Sequence, residues 1–133
     1  MADTQRSKAA LLALLADNTS GDIGAQDARD FLVSTFPATT SEKTNAHDVV
    51  DADSVILVDY AGAVTIRTMT DQVTDGRIFT VKDESGAASS NNITITTEAS
   101  ETIDGAATYV ISTDDGHVTL VSDGTNLFVI ASG

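Results

Sequence analysis

His47 and His117 are the two side chains of this 133-residue chain whose ordinary pKa lies near neutrality, so proton transfer at pH 7 or imidazole ligation would have to begin with them. No His-x3-His or Glu-x-x-His spacing accompanies either one, and both read as solvated surface groups without a partner visible in the sequence. Carboxylates come next: Asp83-Glu84, or Glu98 with Glu101, could flank a cleft as the two acids of a glycosidase. They fall among Ser, Gly and Ala in expected loops, and a chain with no Trp and few aromatics has little to build a sugar platform from, so solvated charge is their expected role. Asp114-Asp115-Gly116 and Asp123-Gly124 offer oxygens that calcium could use, but the twelve-residue EF-hand pattern is missing and hairpin turns account for them. Gly21 and Gly24 would admit an anion at the start of a helix, and Asp22 opposes it. Cysteine is absent, which removes thiolate nucleophiles, disulfides and Cys-based zinc sites, and neither a G-x-S-x-G elbow nor a phosphate loop occurs. The expectation is a protein that is not an enzyme, with no catalytic residues, no metal and no cofactor.

The elements that would carry these residues change character along the chain. Ser7 to Ala16 are strong helix formers, with Leu11, Leu12, Leu14 and Leu15 on a broad face, and the turn formers Asn18 to Asp22 end the run. Ala25 to Phe36 repeats apolar residues at Ala28, Phe31, Leu32 and Phe36, the spacing of one buried helix face, and Pro37 closes it. Helices this short cannot stand alone in water, so their Leu and Phe faces must be covered. Residues 37–53, rich in Thr, Ser, Asn and Asp, read as an extended linker. From residue 54 onward seven short β-branched runs follow: 54–60, 63–68, 77–82, 92–97, 108–112, 117–122 and 126–131. Several alternate in and out, with Ile93 and Ile95, Val118 and Leu120, and Phe79 and Val81 on inner faces and Ile78 opposed to the last pair. Asp75-Gly76, Asp104-Gly105, Asp115-Gly116 and Asp123-Gly124 supply the positive backbone angles of tight hairpins. The spacing predicts a mainly β protein: a helical segment over residues 1–36, a linker over 37–53, and an antiparallel β-sandwich or barrel over 54–133.

Charge sets the partners. Twenty acids against seven bases give a net charge of -13, which repels nucleic-acid backbones. The apolar run from Ala9 to Ala16 is far shorter than the 18 or so residues that cross a bilayer, so no membrane partner is expected. Leu, Ile, Val and Phe make up about a quarter of the chain, enough for a small core. Cores of that size often gain stability by association.

The stretch Asp17-Asn18-Thr19-Ser20-Gly21-Asp22-Ile23-Gly24-Ala25-Gln26-Asp27-Ala28-Arg29-Asp30 resembles the D-N-T-x-G-x-I-S-A-Q-D-x-R-D segment near the N-terminus of many tailed-bacteriophage structural proteins. Gly24 stands where the family has an N-capping Ser, which weakens the cap of the second helix. The later half is similar to a module of phage head-fibre, decoration and tail-appendage proteins, carried by Arg77 to Asp83, Asn91 to Ile95, Thr102 to Gly105 and Val118 to Ile130. Leu127 replaces the aromatic, often Trp, usual in that module. The resemblance implies a homotrimeric virion protein on the capsid surface, a decoration or cement protein whose partners are its own copies and the major capsid protein or another virion protein. A tail or head-fibre appendage binding a host receptor or glycan is the alternative, with the loop from Asp83 to Asn91 and the turns near Asp115 and Asp123 as its tips. Leu11, Leu12, Leu15, Phe31 and Leu32 are then the candidate oligomer or capsid contacts. Packing of the two helices within one chain is the competing role for the same five residues.

Overall fold

The computed structural model describes residues 38–42 and 44–133, and the expected helices, with Leu11, Leu12, Leu15, Phe31 and Leu32, lie outside the described residues. The described chain is mainly β, in two sheets. In chain order the strands are β1 (Ala38–Glu42), β2 (Ala46–Val49), β3 (Asp53–Val58), β4 (Val64–Thr68), β5 (Ile78–Asp83), β6 (Ile93–Thr97), β7 (Thr108–Ile111), β8 (His117–Ser122) and β9 (Leu127–Ser132). The first sheet has the order β1-β3-β5-β8-β9 and the second β2-β4-β6-β7.

All seven expected runs are strands, and the segment expected as a linker holds two more, β1 and β2. Their two threonines, one serine and one valine do not alternate by hydropathy, so no period of two marks them. Backbone pairing with β3 and β4 makes them strands instead.

The antiparallel expectation is corrected as well. From β1 to β6 the chain passes alternately between the sheets, so β1, β3 and β5 stack in parallel in one while β2, β4 and β6 stack in parallel in the other. This is a flattened coil of three turns. Only the final strands run antiparallel: β8 with β5, β7 with β6, and β9 with β8. Parallel neighbours need a crossover, and here each crossover is a strand of the opposite sheet. Two of the four Asp-Gly pairs lie in antiparallel connections, Asp104-Gly105 between β6 and β7 and Asp123-Gly124 between β8 and β9, where Gly124 takes φ +90°. Asp75-Gly76 leads into β5, and Asp115-Gly116 carries the chain from the second sheet to the first.

The core fills the space between the sheets. Ile56, Val58, Phe79, Val81, Val118, Leu120 and Leu127 face inward from the first sheet, against Val49, Val64, Ile66, Ile93, Ile95 and Ile111 from the second. At roughly 1.5–3 kcal/mol per buried side chain this cluster is the main stabilising term. The inner faces read from alternation are the observed ones, with Ile78 exposed and Phe79 and Val81 buried. At one end, Ile103 bridges Ala106 and Leu127, and Thr102 and Asp104 exchange backbone hydrogen bonds with Leu127, which ties the last strand of the first sheet to the β6–β7 connection of the second.

Gly116 marks the tightest crossing between sheets. A Cβ there would stand 2.6 Å from the Thr113 carbonyl oxygen and 2.7 Å from Ile111 Cγ2. Gly116→Ala is therefore expected to cost about 2 kcal/mol by overpacking, read as a lower urea midpoint with an unchanged slope.

Candidate functional site

Two buried carboxylates organise the polar interior, and each lies at an end of a strand in the first sheet. Asp53, 1% exposed at the start of β3, accepts hydrogen bonds from Thr40 Oγ1, from His47 Nε2 at 2.8 Å and from the Val50 amide at 2.9 Å. It thereby joins β1, β2 and the turn into β3. His47 is not the solvated surface group expected from the sequence: its ring reaches across six positions to a buried acid. Arg77 reinforces the same corner from just before β5. Its guanidinium donates to the carbonyl oxygens of Val50 at 2.9 Å and Asp53 at 2.6 Å, and sits 6.0 Å from the centre of the Phe79 ring. Burial pulls its pKa down, against the opposing pull of Asp51 and Asp53.

Asp83, 1% exposed at the end of β5, accepts from Ser85 Oγ at 2.7 Å and from the amides of Gly86 at 3.1 Å, Ala88 at 3.0 Å and Asp115 at 3.1 Å. Burial alone would raise its pKa; these four donors outweigh burial and hold the carboxyl below its ordinary value. The loop after β5, the expected receptor tip, is pinned along its length. Asp83 holds residues 85 to 88, and Asp114 accepts from the Ser89 amide at 2.8 Å. The Asp114 carboxyl is lowered in turn, chiefly by that amide.

The other carboxylate pair weighed above, Glu98 and Glu101, meets at Thr70. Glu98 accepts from the Thr70 amide at 3.0 Å, and Glu101 accepts from the Ala99 amide at 3.0 Å. Glu101 is held below its ordinary value, first by a hydrogen bond from the Thr70 side chain. It lines an open groove of about 430 Å3 with Thr70, Val73, Ser100, Gly124, Thr125 and Asn126. Asp123, which the Asn126 and Thr125 amides hold low, completes the turn beside that groove. A general acid at neutral pH needs a carboxyl whose pKa is pushed up, and Asp83, Glu101, Asp114 and Asp123 are all displaced the other way. Among the described residues no group of three or more His, Cys, Asp or Glu side chains could hold a metal ion, and no helix is long and apolar enough to cross a membrane.

What the two sheets present outward differs in kind. The second sheet shows Ala46, Thr65, Thr94 and Val110 in one row and Asp48, Arg67, Thr96 and Thr108 in the next. Arg67 grips Asp48 through two hydrogen bonds of 2.9 and 2.7 Å, which lower the Asp48 carboxyl and raise the guanidinium. That face is mostly hydroxyls and one ion pair, with Ala46 at one edge and Val110, 43% exposed, at the other. The first sheet shows Ile78, Val121 and Phe128 in one row, then Val55, Thr80, Thr119 and Ala131, then Leu57, Lys82 and His117. Ile78 is 51% exposed, Phe128 40%, and Ile130, the extra residue at the β8–β9 irregularity, 55%. The alternation that identified Ile78 as outward also held this face, but single exposed apolar residues are ordinary; only the strand order shows that they adjoin. No protein-family model matches the chain, and no curated protein matches it.

Proposed function

We propose that this protein is a bacteriophage capsid decoration protein, a homotrimer that binds the outer surface of the shell and stabilises it. The observation that carries this reading is the contrast between an acidic chain and the apolar outer face of its first sheet, a surface suited to association rather than to chemistry. The charge distribution supports it: residues 51–133 hold thirteen acids and three bases, residues 1–50 seven and four. A strongly acidic β body turned to solvent, with a less charged base on the shell, suits a displayed protein. The mechanism is mass action. Binding surface exists only on the assembled shell, so occupancy stabilises that state over its dissociated subunits. The residues proposed to touch the shell are Leu11, Leu12, Leu15, Phe31 and Leu32.

Co-sedimentation with empty shells tests the reading. The wild-type chain should pellet with shells and raise their melting temperature, and Leu12→Asp together with Leu15→Asp should abolish pelleting while the β signal in circular dichroism persists. Wild-type protein that stays in the supernatant, or particles whose heat resistance is unchanged without it, overturns the proposal. The appendage reading has weaker support, because its candidate tip is tied down by Asp83 and Asp114 and carries no aromatic side chain.

A further inference from the structure

We infer that the outer face of the first sheet is the surface through which copies of this chain meet, with the row Ile78–Val121–Phe128 at its centre. The inference deepens the trimer proposed above and rests on that reading for the number of copies, not for the surface itself.

Three observations carry it. The row is continuous across three hydrogen-bonded strands: Ile78 pairs with Val121 and Val121 with Phe128, which places the side chains about 5 Å apart on one face. Val55 and Leu57 on β3 and Ile130 on β9 extend the apolar area to either side. Secondly, the threonine pair and the lysine within the face are already partnered. The hydroxyls of Thr80 and Thr119 bond each other at 2.9 Å, and Lys82 Nζ is drawn off the face to the carbonyl oxygens of Asp83, at 2.9 Å, and Asp115. Little hydrogen bonding to water is lost when the face is covered.

The third observation is electrostatic and selects the occupant. Two copies that each carry -13 repel one another, so they can approach closely only where neither presents a carboxylate. The strands β3, β5, β8 and β9 contain two acids, Asp53 and Asp83, and both are buried at 1% exposure. Exposed acids such as Asp59, Asp75, Asp115 and Asp123 lie in the connections at the strand ends. A basic partner would seek those rims; the acid-free centre fits a surface of its own kind, with an apolar middle and a charged border.

Sedimentation equilibrium of the full chain, without shells, decides it. The wild type should run at three times 13.8 kDa. Ile78→Asp with Phe128→Asp should reduce the mass threefold to that of one chain while the circular dichroism spectrum stays β, and Ile78→Ser with Phe128→Ser should do the same at low protein concentration without added charge. Thr94→Asp, on the outer face of the second sheet, should leave the mass at three chains. A wild-type chain that sediments alone, whether because its own residues 1–37 or another protein covers the face, overturns the inference, as does a double variant that keeps the wild-type mass. A two-chain species that the double variants dissolve upholds the surface and overturns the trimer. Shell binding is read in a separate tube, so failure of the decoration proposal leaves this result standing on its own.

Discussion

Alanine at position 83 is expected to lower the melting temperature by on the order of 15 °C, equivalent to about 3 kcal/mol in a body of this size. The side chain removed is small; what it leaves behind is not. The Ser85 hydroxyl and the amides of Gly86, Ala88 and Asp115 lose their shared acceptor in a site that is 1% exposed. Calorimetry at neutral pH checks the magnitude, and a loss under about 1 kcal/mol would show that the loop rearranges to find other acceptors. The same carboxylate predicts an acid limb. Its pKa in the folded protein lies below the unfolded value, so the unfolded chain takes up more protons as the solution is acidified. Stability from this group is fully present above roughly pH 4 and is lost as the pH falls through the lower, folded value. Asp83→Asn should flatten that part of the stability curve while lowering the plateau, because an amide supplies one acceptor oxygen in place of two.

Phe79→Ala should cost more, about 4 kcal/mol, and bring the protein close to unfolding at physiological temperature. Phe79 is among the largest fully buried side chains and projects from β5, the middle strand of the first sheet, into the space between the sheets. Its removal leaves a cavity that the neighbouring strands cannot close, and it also takes away the ring beneath the Arg77 guanidinium. Phe79→Leu keeps most of the volume and should lose no more than about 1.5 kcal/mol. If both substitutions unfold the protein equally, the ring contact with Arg77 outweighs the cavity; urea titration of the pair separates the two.

How much of this architecture could be read beforehand depended on what each element leaves in the residue pattern. Strands β4, β5, β6 and β8 bury alternate residues, so period-two patterning marks them and their inner residues, while β3, β7 and β9 are marked by β-branched and aromatic runs between turn residues. The strands β1 and β2 have Ala, Thr, Ser and His at most positions and owe their form to backbone pairing, which leaves no mark in side-chain type. Parallel coiling was hidden for a related reason. Successive turns of the coil differ in length: partners are Thr40 and Ile56, then Val55 and Thr80, in one sheet, and Ala46 and Thr65, then Val64 and Ile93, in the other. No fixed period therefore appears in the sequence, and period is the signal by which stacked turns are recognised. Asp-Gly pairs suggested hairpins throughout, yet a left-handed backbone angle serves any sharp reversal, including passage from one sheet to the other at Asp115, φ 58°.

The candidate sites divide the same way. Asp83 was considered from the sequence as one of two catalytic acids, and its surroundings make it a fastening point instead. Asp53 carries no site signal in the sequence, since nothing adjacent in the chain foretells that His47, Thr40 and Val50 converge on one carboxylate. The apolar outer face needed the strand order before Ile78, Val121 and Phe128 became neighbours.

The Asp53 corner has a consequence for how the molecule comes apart. Among the described residues β1 pairs only with β3 and β2 only with β4, so both form the rim of the coil at the end opposite the Ile103–Leu127 closure. One carboxylate ties the two rim strands together, through Thr40 on one and His47 on the other, while Arg67 holds Asp48 of β2 to β4. Opening need not be global: with that carboxylate released, the first turn is held by its two edge ladders and the Arg67–Asp48 pair, and if these part the edges bared on β3 and β4 are templates onto which a strand from a neighbouring molecule could add. Thermal damage would begin there, at one end of the spool, and spread inward turn by turn.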